Sequence, residues 1–351
     1  MSIPAKPWKK KRSPKRILAI RLQAMGDVVI TLPYLQDLRN NLPPSVQIDL
    51  LTRHETDPIP KNLVLFNNIF SIAGKRSFNK QLFFTLLLLP RLLLRRYDII
   101  IDLQNNILSR LVRKTLMPSS WSEFDRTSPI PAGERTRQTI EAIGLGKNKA
   151  AGKFQLKNDL NAKETLIKYG WNGKADLVIL NPAGVFETRN WPIDYYSSFA
   201  KLWLNEFPNT QFLIIGLPFI SSKAEYLKKK LGENLITIIG KTNVAEAFAI
   251  LQYSKFMLSE DSGLMHMSWV SGIRTFTLLG GTRPDRAQPL GDHSDFVDSS
   301  DLECGNCMQE KCKWGDTRCL TRFTPEIIFE KAKALISKSK YLHHRSRTII
   351  H

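Results

Sequence analysis

Ser259-Glu260-Asp261-Ser262-Gly263-Leu264-Met265-His266 places two carboxylates, two hydroxyls, a glycine and an imidazole in eight consecutive positions. The apolar run 256–258 precedes it. The run 275–279 follows it and ends in Gly280-Gly281-Thr282. Read as strand, helix start, helix and strand, this is an αβ unit whose helix N-terminus is left open. Small residues there let backbone N–H groups approach an anion, and the helix dipole favours negative charge at that end. A phosphate group is the ligand this pattern suits. Helix capping by Asp261 or Ser262, with no ligand, is the plain structural alternative.

A further carboxylate stands in Gln23-Ala24-Met25-Gly26-Asp27, ahead of Leu32-Pro33. Asp27 falls at a loop-to-helix junction after the first strand, where a carboxylate can take a proton from a hydroxyl nucleophile. Its alternative role is again capping. Gly26 allows a tight turn or the close approach of a ligand. Farther on, Thr188-Arg189-Asn190-Trp191-Pro192 leads from a strand end into a helix. Arg189 has the planar fork that suits phosphate oxygens. Trp191 reads as a packing anchor. Gly240-Lys241-Thr242 lacks the glycine a phosphate-binding loop needs five positions earlier, where Leu235 stands. No Asp-x-Asp occurs, so charge on a diphosphate falls to Arg189 and helix N-termini. Glu260 has no evident role in the sequence.

The four cysteines, Cys304, Cys307, Cys312 and Cys319, share one short window. In a reducing compartment four clustered thiolates suit a structural zinc or iron. Free thiols and a disulfide pair are the other readings. A metal here would brace the chain locally.

Positioning these groups requires strands alternating with helices. Strands are expected at 17–22, 46–51 and 99–103, with helices at 27–42, 79–96 and 106–116. A stretch rich in Pro, Ser, Gly and charge at 118–157 reads as a linker region with surface loops. A second alternation follows, with strands at 177–181, 211–216 and 235–239 and helices at 192–207, 221–231 and 244–252. A last helix starts at Thr324-Pro325-Glu326 and leads to Lys338. This is an α/β pattern of two Rossmann-like domains with parallel sheets. The expected division is a basic flexible tail at 1–16, an acceptor-side domain at 17–170, a nucleotide-binding domain at 171–338 that includes the cysteine window, and a basic tail at 339–351. In open sheets of this kind, ligands sit beyond the carboxyl ends of the strands.

The net charge is +19, a field that attracts polyanions. The first sixteen residues carry seven Lys or Arg and no acid. They read as a solvated tail or as a polybasic contact with an anionic membrane face. No aromatic-basic RNA motif or zinc-finger spacing is present, so nucleic acid is not the expected partner. No secretion signal is visible, and no run reaches the roughly 18 apolar residues of a spanning helix. Residues 82–94 read as a buried helix or as one that dips an apolar face into a bilayer. The expected location is cytoplasmic, peripheral to the inner face of the inner membrane.

Together these segments resemble the heptosyltransferases, bacterial glycosyltransferases of family 9 that add heptose to the lipopolysaccharide core. The likeness runs from Ile17 to Lys338. It is carried by the Ile17-to-Asp27 stretch with Leu32-Pro33, by Arg189-Asn190-Trp191-Pro192, by Asp261-Ser262-Gly263-Leu264-Met265-His266, and by Gly280-Gly281-Thr282-Arg283-Pro284. The resemblance implies a GT-B fold with two domains facing a cleft. It also implies an inverting, metal-independent transfer from ADP-heptose to a lipid-linked inner-core oligosaccharide, with no cofactor required. Asp27 would be the general base. Met25, Gly26, Arg189, Asp261, Ser262, Gly263, His266 and Thr282 would meet the donor. One departure stands out: Leu217-Pro218-Phe219 follows Gly216, where some relatives carry an acid that holds the ribose. Another nucleotide sugar, another glycan acceptor, or a nucleotide-binding scaffold without catalysis are the competing readings.

Overall fold

The computed structural model describes residues 3–151 and 153–345, with side chains as far as residue 337. Two compact units divide the chain, Met1–Asn158 and Asp159–His351.

The first unit contains β1 (Ala5–Lys6), β2 (Arg16–Ile20), α1 (Met25–Asn40), β3 (Gln47–Arg53), α2 (Pro58–Lys61), β4 (Asn68–Ile72), α3 (Phe78–Arg95), β5 (Ile99–Asp102), α4 (Ile107–Leu116), β6 (Ser120–Glu123) and α5 (Ala132–Glu141). Its sheet has the order β1-β6-β5-β2-β3-β4, parallel except for β1, which runs against β6. Ile17, Leu18, Ala19 and Ile20 of β2 are fully buried. Such continuous apolar runs are what a strand covered on both faces requires.

The second unit contains α6 (Ala162–Lys168), β7 (Asp176–Asn181), α7 (Ile193–Glu206), β8 (Thr210–Gly216), α8 (Ser221–Leu231), β9 (Leu235–Ile239), α9 (Val244–Leu251), β10 (Ser254–Glu260), α10 (Gly263–Val270), β11 (Arg274–Leu278), α11 (Pro284–Ala287), β12 (Ser294–Val297), α12 (Arg318–Thr321) and α13 (Pro325–Arg345). Its sheet, β12-β11-β10-β7-β8-β9, is parallel throughout. Trp191, Tyr196, Phe199, Trp203, Phe212 and Phe256 dominate its core. Trp191 is the packing anchor expected of it, with its indole N–H donating to the Phe323 carbonyl at 2.8 Å.

In each unit the chain builds outward from a central strand, then returns to build the other way. The order reverses between β2 and β5 and between β7 and β10. Ligand sites in open parallel sheets form at such switch points.

Several expectations need correction. The boundary falls between Asn158 and Asp159, not at 170/171. Residues 159–170 form α6 and its flanks, and α6 packs on α9. Residues 118–157 are not a linker, because they supply β6 and α5. Residues 1–16 are not a free tail. Ala5 and Lys6 pair with Ser122 and Trp121, and buried Trp8 donates its backbone N–H to the Ile143 carbonyl at 2.7 Å. Residues 1 and 2 lie outside the described residues. At the other end, α13 continues through Arg345, into the expected tail at 339–351. Residues 346–351 lie outside the described residues.

Residues 82–94 belong to α3, which is buried on one face only. Gln81, Thr85, Leu89 and Leu92 point inward at helical spacing. Phe83, Leu86, Leu87 and Leu94 are exposed on the other side. Among the described residues no helix is long and apolar enough to cross a membrane.

Candidate active site

At the β2/β5 switch point the loop after β2 is held by side chains. The Gln104 amide oxygen accepts the N–H groups of Leu22 at 2.9 Å and Gln23 at 3.1 Å. Buried Asp102 holds the turn that carries Gln104, accepting the Gln104 and Asn105 N–H groups at 3.2 and 2.7 Å. Burial pushes the Asp102 carboxyl up from its ordinary value. Arg21 is buried with its guanidinium 4.9 Å from the centre of the Phe124 ring. It donates to the Leu103 carbonyl and pairs with Asp27 Oδ1 at 3.0 Å. Burial pulls the Arg21 guanidinium below its ordinary value, and Asp27 opposes that shift.

Asp27 is the third residue of α1, and its Oδ2 accepts the Ala24 N–H at 2.8 Å. Asp27 thus serves the capping role weighed for it in the sequence. Its side chain is nevertheless 40% exposed, so the carboxylate is open to a hydroxyl group. Met25 and Gly26, half-buried, begin the same helix. Arg21, as the partner of Asp27, is the residue that sequence reasoning missed here. An arginine directly after the four apolar residues 17–20 is the signal that marks it, because a buried guanidinium needs a carboxylate.

At the β7/β10 switch point Asn181, the last residue of β7, donates through Nδ2 to Ser259 Oγ at 2.8 Å and Ser262 Oγ at 2.7 Å. Ser262 caps α10, its hydroxyl accepting the Met265 N–H at 3.3 Å. Asp261 Oδ2 receives Arg189 Nη1 at 3.0 Å and the Thr282 hydroxyl at 2.9 Å. Arg189 also lies over the Phe186 ring, 4.5 Å from its centre, and its buried Nε has no hydrogen-bond partner. A Cβ added at Gly263 would meet nothing within 4 Å. His266, one turn into α10, accepts the Trp269 indole N–H on Nδ1 at 3.1 Å, which puts the proton of the neutral ring on Nε2. Arg189, Asp261, Ser262, Gly263, His266 and Thr282 are therefore gathered at one helix N-terminus in the second unit. Met25, Gly26 and Asp27 are gathered at another in the first.

Glu260 now has a structural role. It is fully buried, and its carboxylate accepts the N–H of Gly184 at 2.6 Å and of Trp191 at 2.7 Å. Lys223 stands 3.9 Å away. Burial pushes the Glu260 carboxyl up to about 7 against the pull of Lys223 and these hydrogen bonds. The hydrogen bonds close both ends of the loop that carries Arg189.

The cysteine window backs the middle of that loop. Glu187 donates to the Glu310 carbonyl at 2.9 Å, the Thr188 hydroxyl to the Gln309 carbonyl, and Gly281 to the Thr188 carbonyl at 2.9 Å. The four cysteines are free thiols. Burial pushes the Cys319 thiol up to about 11, with Cys307, Cys312 and Cys304 near enough to add to the shift. Among the described residues, however, no three His, Cys, Asp or Glu side chains are arranged to hold a metal ion. These backbone hydrogen bonds brace the middle of the loop.

Residues 87–317 match the family model for glycosyltransferase family 9 (heptosyltransferase). The chain belongs to this family. It is a glycosyltransferase. Lipopolysaccharide heptosyltransferase 1 of Pseudomonas aeruginosa is 23% identical, over 92% of this chain and 98% of that protein. The family 9 glycosyltransferase of Veillonella parvula superposes with a TM-score of 0.76 at 17% identity, covering 92% of this chain and 98% of that one. Escherichia coli heptosyltransferase WaaC, solved with ADP-2-deoxy-2-fluoro heptose, superposes with a TM-score of 0.64 at 18% identity, covering 92% and 99%. The fold of this family 9 enzyme is GT-B, with two Rossmann-like units.

The loop tolerates no side chain at Gly184, where a Cβ would lie 2.3 Å from the Arg189 carbonyl oxygen and 2.9 Å from Glu260 Oε2. Gly184→Ala should cost about 2 kcal/mol, read from the urea midpoint of the full chain. An unchanged midpoint would show that the loop yields freely.

Proposed function

We propose that this glycosyltransferase moves heptose from ADP-heptose to the inner core of a lipid-linked lipopolysaccharide acceptor, with inversion and without a catalytic metal. The observation that carries this reading is the cluster at the N-terminus of α10. There a capped helix start, an open Gly263 and the Arg189–Asp261 pair share one switch point. A diphosphate suits that place: backbone N–H groups, the helix dipole and a guanidinium with an unused Nε all favour negative charge. The relative solved with a fluorinated ADP-heptose supports the donor, and the lipopolysaccharide heptosyltransferase of P. aeruginosa supports the acceptor.

In the proposed reaction an acceptor hydroxyl attacks the anomeric carbon while the bond from that carbon to the diphosphate oxygen breaks. Asp27 takes the hydroxyl proton, and Arg21 holds the carboxylate in place. Negative charge grows on the departing ADP, where Arg189 and the first N–H groups of α10 would meet it. Met25 and Gly26, beside Asp27, would face the sugar. His266 and Thr282 would complete the donor site, Thr282 by orienting Asp261. Another nucleotide sugar is the competing reading, because exposed Leu217 and Phe219 follow β8 where an acid would bind ribose.

We also propose that α3 rests on the anionic inner face of the inner membrane, where a lipid-linked acceptor is presented. Its outward residues Phe83, Leu86, Leu87 and Leu94 are apolar, and Lys80 and Arg91 are exposed beside them. Apolar insertion flanked by cations is the pattern of an interfacial helix, each cation adding about 1 kcal/mol near anionic lipid.

Two experiments test these readings. ADP release dependent on ADP-heptose and a core acceptor should fall roughly 100-fold or more in Asp27→Asn, with ADP affinity nearly unchanged. Release within a few-fold of the parent enzyme would remove Asp27 as the base. Release with another sugar nucleotide in place of ADP-heptose would favour the competing donor, and binding with no turnover on any acceptor would favour a scaffold. Separately, the chain should sediment with phosphatidylglycerol vesicles and not with phosphatidylcholine vesicles, and Phe83→Ser with Leu87→Ser should weaken that binding at least tenfold, by roughly the apolar area removed. Equal binding by the double variant would exclude α3 as the contact.

A further inference from the structure

We infer that Glu260 is a positioning residue: its buried carboxylate clamps residues 184–191, and with them Arg189, in the place from which they meet the donor diphosphate. The inference rests on the reading of this site as the donor site. The carboxylate accepts N–H groups from Gly184 and Trp191, the two ends of the loop, at 2.6 and 2.7 Å. Asp261, the next residue, binds Arg189 from the same strand end. One strand terminus therefore holds both the loop backbone and the loop's cation. An apolar side chain in this interior position would avoid the cost of burying a carboxylate but would leave two buried N–H groups unpaired. The arrangement spends stability on placement.

The groups that face Glu260 are Lys223 from α8, the buried Tyr196 phenol from α7, and the Arg189–Asp261 pair beside it. Protonation turns one acceptor oxygen into a hydroxyl, a poorer acceptor, so the bond from one loop N–H weakens. Burial pushes the Glu260 carboxyl up to about 7 while the two N–H bonds pull it down, so an opening that breaks those bonds and leaves the carboxyl buried is favoured as pH falls through neutrality. Its folded-state value exceeds that of an unfolded glutamate. Global stability contributed by this group therefore does not fall over the same pH range.

The test uses the full chain, with Glu260→Gln and Glu260→Asp. Gln offers only one acceptor and sets an NH2 against a backbone N–H, whereas Asp keeps both acceptors on a shorter stem. At pH 8, amide hydrogen exchange across 184–191 should quicken at least tenfold in Glu260→Gln, with cooperative melting retained, and Glu260→Asp should recover part of the protection. ADP affinity should drop roughly tenfold to a hundredfold in Glu260→Gln. The parent chain should lose more ADP affinity than Glu260→Gln between pH 8 and pH 6. Unchanged exchange across 184–191 in Glu260→Gln would overturn the inference; if that variant does not fold, full parental protection at pH 6 would. A parent chain that binds no ADP would refute the donor reading alone, because the exchange measurement still decides the clamp.

Discussion

Where the strand order of a parallel sheet reverses, two neighbouring strands send their chains to opposite faces, and the ladder no longer binds the residues beyond the strand ends. The backbone there must be held by side chains. Both units meet this constraint with buried amides and carboxylates. In the first, Gln104 and Asp102 secure the loop after β2 and the turn after β5. In the second, Asn181 ties β7 to the start of α10, and Glu260 ties β10 to the loop after β7. The same need that fixes the chain at these points leaves polar groups and helix N-termini where a ligand can use them.

Each switch point also carries an arginine–aspartate pair at 3.0 Å, Arg21–Asp27 in the first unit and Arg189–Asp261 in the second, and the two pairs differ in which partner is open to solvent. Arg21 is buried and Asp27 is exposed, so the first unit presents a carboxylate. In the second unit both partners are largely covered, at 18% for Arg189 and 12% for Asp261, and the surrounding N–H groups and the unused Arg189 Nε favour an anion. One unit thus offers a group that can accept a proton, and the other a cradle for negative charge. In the proposed transfer from a sugar diphosphate, the carboxylate would serve the attacking hydroxyl and the cradle the leaving group.

The central parallel strands were legible because burial on both faces demands continuous apolar runs. The runs at 17–22, 99–103, 177–181 and 211–216 correspond to β2, β5, β7 and β8. Two more polar strands were not. β6, Ser-Trp-Ser-Glu, and β12, Ser-Asp-Phe-Val, carry polar residues that read as loop, and their strand state comes from pairing with a neighbour. The N-terminal arm was hidden by its charge: the lysines advertise a tail, whereas Ala5, Lys6 and Trp8 are tied to distant residues. Asp27, Arg189, Asp261 and Ser262 could be picked out from residue type and spacing. Glu260 could not, because its partners are the backbone N–H groups of residues 76 and 69 positions away, which carry no sequence signal. The outward face of α3 was ambiguous for a related reason. Leucine at eight of the thirteen positions 82–94 hides which side is covered until the helix is seated on β4 and α4.

In the proposed reaction the start of α10, with Arg189 beside it, receives the diphosphate of the donor. The most direct measurement is diffraction from crystals of the full chain grown with ADP. Phosphate density is expected within hydrogen-bond reach of the Gly263 N–H and the Arg189 guanidinium. Diphosphate density bound elsewhere, with those two groups untouched, would contradict it.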